Sequence, residues 1–275
     1  MTGTTIKRVF ILGIDGAGAF NRETETPHID ALLQAGARTD SAQTVFPSNS
    51  GECWGALLHG VTPDRHRSHT YIKEEQHYPK DSATPSLFSL IKKASPGSKM
   101  ASFVSWKPIL TGIIEDDSDI HKYAAPDDEL VPAIVTYIHE NPDLKLLFVQ
   151  LDDVDYAGHR HGYGSAEYLT SISKADQQIG AITVAIREAG LLDDSLIIVT
   201  TDHGGGGVDD FNHGSDHEKD MTIFWGCRGP GVHADADLSG LSIMDTAAVT
   251  LRALGLPPLA NADAKLPNGL FPTVE

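Results

Sequence analysis

Cysteine is scarce in this chain of 275 residues: only Cys53 and Cys227 are present. Two cysteines exclude a disulfide framework and suit a reducing compartment, so the expected location is the cytoplasm. Long hydrophobic runs are also missing, and none approaches the roughly 20 apolar residues of a membrane-spanning helix. The first eight residues, Met1 to Arg8, lack the charged region, apolar core and small-residue cleavage site of a secretory leader. Positive charge is in short supply, with 21 Lys and Arg against 38 Asp and Glu, a net charge of −17. That balance argues against nucleic-acid polymers and anionic membranes as partners. It fits an enzyme that needs metal cations to draw in an anionic substrate. No repeat, low-complexity tract or linker interrupts the chain, so a single domain over residues 1–275 is expected.

What is present is an alternation of strand and helix patterns. Val9–Ile14 is a continuous apolar run of the kind buried on both faces of a sheet. Further strands are expected over 101–104, 146–151, 196–200 and 221–225. Helices are expected from Pro27, over 51–59, 86–94, 127–140 and 166–189, and from Asp245 to about Leu254. The helix over 166–189 is the clearest, because Leu169, Ile172, Ile179, Ile182 and Ile186 recur at helical spacing. Gly255 and the Pro257-Pro258 pair end the last helix. This order implies an α/β fold with a largely parallel sheet between helices. Residues 64–84, rich in His, Lys and Glu, read as an irregular surface excursion near the site.

Two short segments carry the chemistry. Asp155-x-x-Gly-His159 follows one buried run, and Thr201-Asp202-His203-Gly204 follows another. Strand ends of this kind bring side chains to the carboxyl edge of a sheet, where open α/β folds keep their sites. Asp15 ends the first strand in the same way, although alone it would read as a turn or cap residue. Gly13, Gly16 and Gly18 do not match the dinucleotide fingerprint G-x-G-x-x-G. Ser50, in Pro47-Ser48-Asn49-Ser50-Gly51, sits at the start of the 51–59 helix, where free N–H groups stabilise an anion. Position alone leaves it either a cap or a nucleophile. No Gly-x-Ser-x-Gly elbow is present. His213 lies ten residues beyond His203 across a glycine run, with His217 as the rival in that segment. Imidazoles and carboxylates together suit zinc, manganese or iron.

In order along the chain stand Asp15, Pro47–Ser50 with its Gly60-x-x-Pro63-x-x-His66 tail, Asp155-x-x-Gly-His159, Asp202-His203-Gly204, and His213 with Met221–Trp225. Together they resemble the alkaline phosphatase superfamily, closest to its nucleotide pyrophosphatase/phosphodiesterase branch, from residue 9 to about residue 255. The resemblance implies an alkaline-phosphatase-like core, a mostly parallel sheet sandwiched between helices, with no large cap domain. It implies two divalent metal ions, zinc foremost, and a small phosphorylated substrate. Asp15, Asp202, His203 and the Ser50 oxygen would hold one ion, and Asp155, His159 and His213 the other. Ser50 would be the nucleophile, ten residues before Gly60; Thr44, in Thr44-Val45-Phe46-Pro47, is the minor alternative. Asn49, Glu52 and the Gly51 N–H are candidates for the phosphate pocket, and Trp54, Trp106 or Tyr163 for stacking against a leaving nucleotide. Neither Ser50-Gly51-Glu52 nor Cys53-Trp54-Gly55 matches the sulfatase maturation motif, and the mutases' extra domain has no room here. No arginine stands beside Ser50, which favours a diester or pyrophosphate over a monoester. The expected activity is metal-dependent phosphodiester or nucleotide pyrophosphate hydrolysis. Phosphomonoester or phosphonate hydrolysis and a non-catalytic metal protein are the alternatives.

Overall fold

The computed structural model describes residues 5–116 and 120–272. Residues 1–4 of the leader reading lie outside them. The first strand, β1 (Arg8–Ile14), leads into α1 (Pro27–Leu33) and β2 (Ala37–Gln43). Three helices follow, α2 (Ser50–His59), α3 (Pro63–His66) and α4 (Ser68–Lys73), then α5 (Leu87–Ala94), β3 (Lys99–Val104) and α6 (Ile109–Gly112). The chain continues through β4 (Ile120–Ala124), α7 (Asp127–Glu140), β5 (Leu144–Leu151), α8 (Asp153–His161) and α9 (Ala166–Glu188). It closes with β6 (Ser195–Thr201), α10 (Glu218–Met221), β7 (Thr222–Arg228) and α11 (Asp245–Ala253).

Seven strands form one sheet in the order β2-β7-β6-β1-β5-β3-β4. β6, β1, β5, β3 and β4 run parallel, and β7 lies antiparallel to both β6 and β2. The sheet is therefore mostly parallel, as expected. Every residue of β1 and β6 is buried, because helices cover both faces and leave no solvated side to reward alternation. Along β1, Val9 and Ile11 join one core with α2, α5 and α11, while Phe10, Leu12 and Ile14 join the other with α1, α7 and α9. Each large side chain removed from water in these layers contributes about 1.5–3 kcal/mol before entropy is counted.

Three features differ from the sequence expectation. The edge strands β2 and β4 were not legible: β2 reads Ala-Arg-Thr-Asp-Ser-Ala-Gln, mostly half-buried or exposed, and breaks register at a bulge between Thr39 and Ala42. Edge strands carry polar side chains on their solvated side and so show no apolar run. Asp155 and His159 are not at a strand end but on α8, four residues apart and hence on one helix face. The 64–84 excursion is partly ordered: α3 and α4 lie in it, and His66, Ser68 and Tyr78 are buried.

Candidate active site

All seven residues singled out from sequence converge at the carboxyl edge of β1, β5 and β6. Asp15 directly follows β1, and its N–H bonds the Leu151 carbonyl at the end of β5 at 2.8 Å. Asp202 directly follows β6; its Oδ1 accepts the N–H groups of Gly16 (3.0 Å) and His203 (2.9 Å). Gly16 adopts a left-handed φ of +67°, and a Cβ there would stand 2.5 Å from Asp155 Oδ1, so only glycine fits between the two segments. Ser50 is the first residue of α2, whose 10 residues begin after Asn49 and end at Gly60, left-handed at φ +65°. Its Oγ lies 3.2 Å from His203 Nε2 and 3.4 Å from Asp15 Oδ1.

The three histidines are held alike. His203 Nδ1 donates to the Gly204 carbonyl (2.8 Å), His213 Nδ1 to that of Ser48 (2.9 Å) and His159 Nδ1 to that of Phe211 (2.8 Å). A carbonyl accepts only, so each Nδ1 carries the hydrogen and each Nε2 is turned toward the carboxylates. His203 Nε2 is 3.4 Å from both Asp15 Oδ1 and Asp202 Oδ2. His159 Nε2 is 3.3 Å from Asp155 Oδ2, and His213 Nε2 is 3.8 Å from Asp155 Oδ1. The His203 and His213 rings stack at 3.8 Å.

Electrostatics follow from this crowding. Burial, then the charges of Asp202, Asp155 and Asp152, raise Asp15 well above the carboxylate range. Burial and Asp155 push Asp202 up to about 7. Burial pushes Asp155 up as well, but its bond to His159 and the fields of His203 and His213 outweigh that and hold it low. The same bond lifts His159 to about 9, while burial lowers His203 and brings His213 to about 4.

This donor set fits divalent cations. Two groups have ligand atoms within 4.8 Å of one another: Asp155, His159 and His213, and Asp15, Asp155 and His203. Asp155 thus stands between them. Asp202 Oδ2 is buried with no hydrogen-bond partner, and among the described residues no Lys or Arg pairs with Asp15, Asp155 or Asp202. A buried acceptor without a donor is costly, and a cation supplies what the protein withholds.

Other expectations resolve plainly. Thr44 lies after β2 with its N–H on the Met221 carbonyl and makes no hydrogen bond to the seven residues, so Ser50 is the hydroxyl at the centre. His217 caps α10 by accepting from the Lys219 N–H and stays out of the cluster. Trp54 and Tyr163 are buried, donating to Asp15 Oδ2 (2.8 Å) and Asp155 Oδ1 (2.6 Å), and cannot stack on a ligand; Trp106 is only half-buried. A groove of about 520 Å³ flanks the Pro47–Glu52 segment, with Phe46, Pro63, Asp64 and His69 also on its walls.

Several contributors escaped the sequence reading. Gln150, buried in β5, donates through Nε2 to Asp15 Oδ2 and Asp152 Oδ1, both at 2.8 Å, and accepts the N–H groups of Ser105 and Trp106. The only signal was an amide inside an apolar strand. Burial and Asp155 raise Asp152 to about 7. Asp220 accepts from Gly207 N, Ser215 N and Ser215 Oγ and so ties down the loop that carries His213.

The chain matches the type I phosphodiesterase/nucleotide pyrophosphatase family over residues 9–237 and belongs to it. Ectonucleotide pyrophosphatase/phosphodiesterase family member 1 of Mus musculus is 25% identical over 198 residues, 65% of this chain and 21% of that protein. The Rattus norvegicus counterpart gives the same figures. The match therefore spans about a fifth of these relatives' length. Among solved structures, murine ectonucleotide pyrophosphatase/phosphodiesterase 5 superposes with a TM-score of 0.72 at 15% identity, covering 93% of this chain and 97% of that one. The lipoteichoic acid synthase of Listeria monocytogenes gives 0.70 at 14%, covering 97% and 76%. A 2-O GAG sulfatase gives 0.75 at 12%, covering 94% and 73%. At such identities the likeness establishes the fold alone.

Proposed function

We propose that this protein is a phosphoric ester hydrolase that cleaves phosphodiester or nucleotide pyrophosphate bonds through Ser50. The observation that carries the reading is the gathering of three imidazole Nε2 atoms and three carboxylates beside one serine at a helix N-terminus, with His203 Nε2 and Asp15 Oδ1 facing its hydroxyl. Asp15, Asp202, His203 and Ser50 would hold one divalent cation and Asp155, His159 and His213 the second, with zinc, manganese and iron all suited to the donors. Bound cations would make the Ser50 hydroxyl more acidic and neutralise phosphoryl charge.

The chain's own residues do the rest. The N-terminus of α2 points free N–H groups, Gly51 among them, at the phosphoryl oxygens. Ser50 loses its hydroxyl proton to solvent, Oγ forms a bond to phosphorus as the bond to the leaving oxygen breaks, and the leaving group departs with that electron pair and takes a proton from solvent. Water then attacks the phosphorus of the phosphoseryl ester, the P–Oγ bond breaks, one water proton passes to Oγ and restores the hydroxyl, and the phosphorylated product leaves. His203 and Asp15, at 3.2 and 3.4 Å, orient Oγ for attack. Among the described residues no arginine hydrogen-bonds to the site; Arg160 is on Tyr156 instead. That supports a diester or pyrophosphate substrate, whose attacked phosphoryl group carries less charge than that of a monoester. The net charge of −17 supports a small substrate rather than a nucleic-acid polymer or an anionic membrane. Among the described residues no helix is long and apolar enough to cross a membrane. Free, buried Cys53 and Cys227 are consistent with a cytoplasmic location, which fractionation would test.

The test is hydrolysis of bis-p-nitrophenyl phosphate and p-nitrophenyl phosphate by metal-stripped protein after zinc or manganese is returned, with Ser50→Ala alongside. Metal-restored diester cleavage that Ser50→Ala abolishes supports the reading. Faster monoester cleavage would make it a phosphatase. Activity that survives the substitution removes Ser50 from its role.

A further inference from the structure

Behind the Asp155 carboxylate stands Tyr163, eight residues further along the chain. Its hydroxyl donates to Asp155 Oδ1 at 2.6 Å. Its ring is 8% exposed and meets His159 edge-on at 5.8 Å and His213 edge-on at 6.2 Å. It therefore touches every member of the Asp155–His159–His213 group. The backbone makes room for it from two directions: a Cβ on Gly158 of α8 would stand 2.5 Å from the ring, and one on Gly205 after β6 would stand 2.6 Å from it. A neutral phenol beside a carboxylate can only donate.

An aspartate carboxylate turns easily about its last torsion, which is broad and two-fold. A donor fixed on one oxygen removes that freedom before any cation arrives. With Oδ1 on Tyr163, Oδ2 is the oxygen presented to His159 Nε2, 3.3 Å away.

We propose that Tyr163 is a positioning residue of the Asp155–His159–His213 group: its hydroxyl sets the rotation of the Asp155 carboxylate and thereby strengthens divalent-cation binding there. This rests on the cation-site reading above. Outer partners of metal ligands commonly contribute about 10–100-fold in affinity.

Tyr163→Phe keeps the ring and deletes only the hydroxyl. Zn²⁺ titration of metal-stripped wild type and Tyr163→Phe, by competition with a chromophoric chelator, reads the affinity of each binding equivalent. Thermal melting of the cation-free proteins reads packing. The expected result is a loss of about 10–100-fold in one of two equivalents, with the other unchanged. Unchanged affinity in both equivalents, whatever the melting temperature does, makes Tyr163 a packing residue and overturns the proposal. Equal weakening of both overturns it too, because the effect would not belong to one group. Wild-type protein that binds no Zn²⁺ would instead sink the cation reading beneath it, a result readable without the variant.

Discussion

Helix α2 presents histidine clusters at both of its ends, and the two clusters balance their hydrogen bonds in opposite ways. At the C-terminal end, His59 is buried with Nδ1 2.9 Å from the Thr84 carbonyl and Nε2 3.1 Å from that of Ile113. Beside it, the buried Glu115 carboxylate takes the Ser86 N–H and hydroxyl, and the Lys122 ammonium sits on the carbonyls of Leu110, Ile114 and Glu115. Most polar groups there find a protein partner and the Lys122 ammonium brings positive charge to Glu115, although His66 Nε2 is buried without a hydrogen-bond partner. At the N-terminal end, beside Ser50, acceptors converge instead. His203 Nε2, Asp15 Oδ1 and Asp202 Oδ2 face one another, and among the described residues no ammonium or guanidinium joins them. The same residue types thus make a structural knot at one end and a candidate cation site at the other. What differs is whether the chain supplies the balancing positive charge.

Substitutions at the two ends should separate cleanly. The largest effect is expected from Ser50→Ala, which should lower turnover on bis-p-nitrophenyl phosphate by at least about 10³-fold while leaving both cation equivalents bound. Single-turnover kinetics on metal-loaded protein checks this; retained activity would show that the N-terminal cluster works without its serine. His213→Ala comes next. It should remove one of the two cation equivalents, measured by metal analysis after dialysis, because a lost imidazole leaves that group with Asp155 and His159 only. His59→Ala should act in the other currency, costing about 2–4 kcal/mol in denaturant unfolding and leaving cation stoichiometry untouched. A change in stoichiometry with His59→Ala would erase the distinction between the two ends.

The smallest expected effect concerns pH. In cation-free protein Asp202 and Asp152 are raised to about 7 and His159 to about 9. Near neutrality each therefore holds more proton in the folded chain than in the unfolded one. A group raised on folding contributes stability at low pH and loses it as pH rises through its folded value. The melting temperature of cation-free protein should accordingly rise as pH falls from 8 to about 6.5. Below that, His203, His213, His59 and His66, all lowered by burial, take up protons preferentially when unfolded and oppose the trend. Zn²⁺ should abolish the rise, since the carboxylates are then held ionised. A flat cation-free profile between pH 8 and 6.5 would mean that the site is less crowded than its geometry implies.

How much of this was legible before the fold was seen depended on burial. Runs such as Val9–Ile14 and Leu196–Thr200 declared themselves because both faces of a central strand are apolar. β2 and β4 did not, because a solvated edge has no reason to be apolar. The direction of β7 was hidden for a related reason: hydrophobicity records burial, and burial does not distinguish a parallel from an antiparallel neighbour. Among site residues, the Asp-His pairs were readable as local motifs. Gln150 was not, and Tyr163 was read only as a stacking candidate, since their meaning lies in what they touch in the folded chain rather than in their neighbours along it.

The amino-acid sequence by itself determined the central strands and the longer helices in their order, the acidic balance, and the seven side chains from which a cation and phosphoryl site can be built. These are local properties, set by periodicity, composition and residue type. The tertiary structure alone decided that three Nε2 atoms face inward, through the carbonyls of Gly204, Ser48 and Phe211 that take their Nδ1 hydrogens. It also decided that Asp155 stands between the two carboxylate–imidazole groups and that the buried Tyr163 hydroxyl donates to it. A hydrogen bond between residues far apart in the chain has no local signature, and it comes into being only when the sheet brings its partners to one edge.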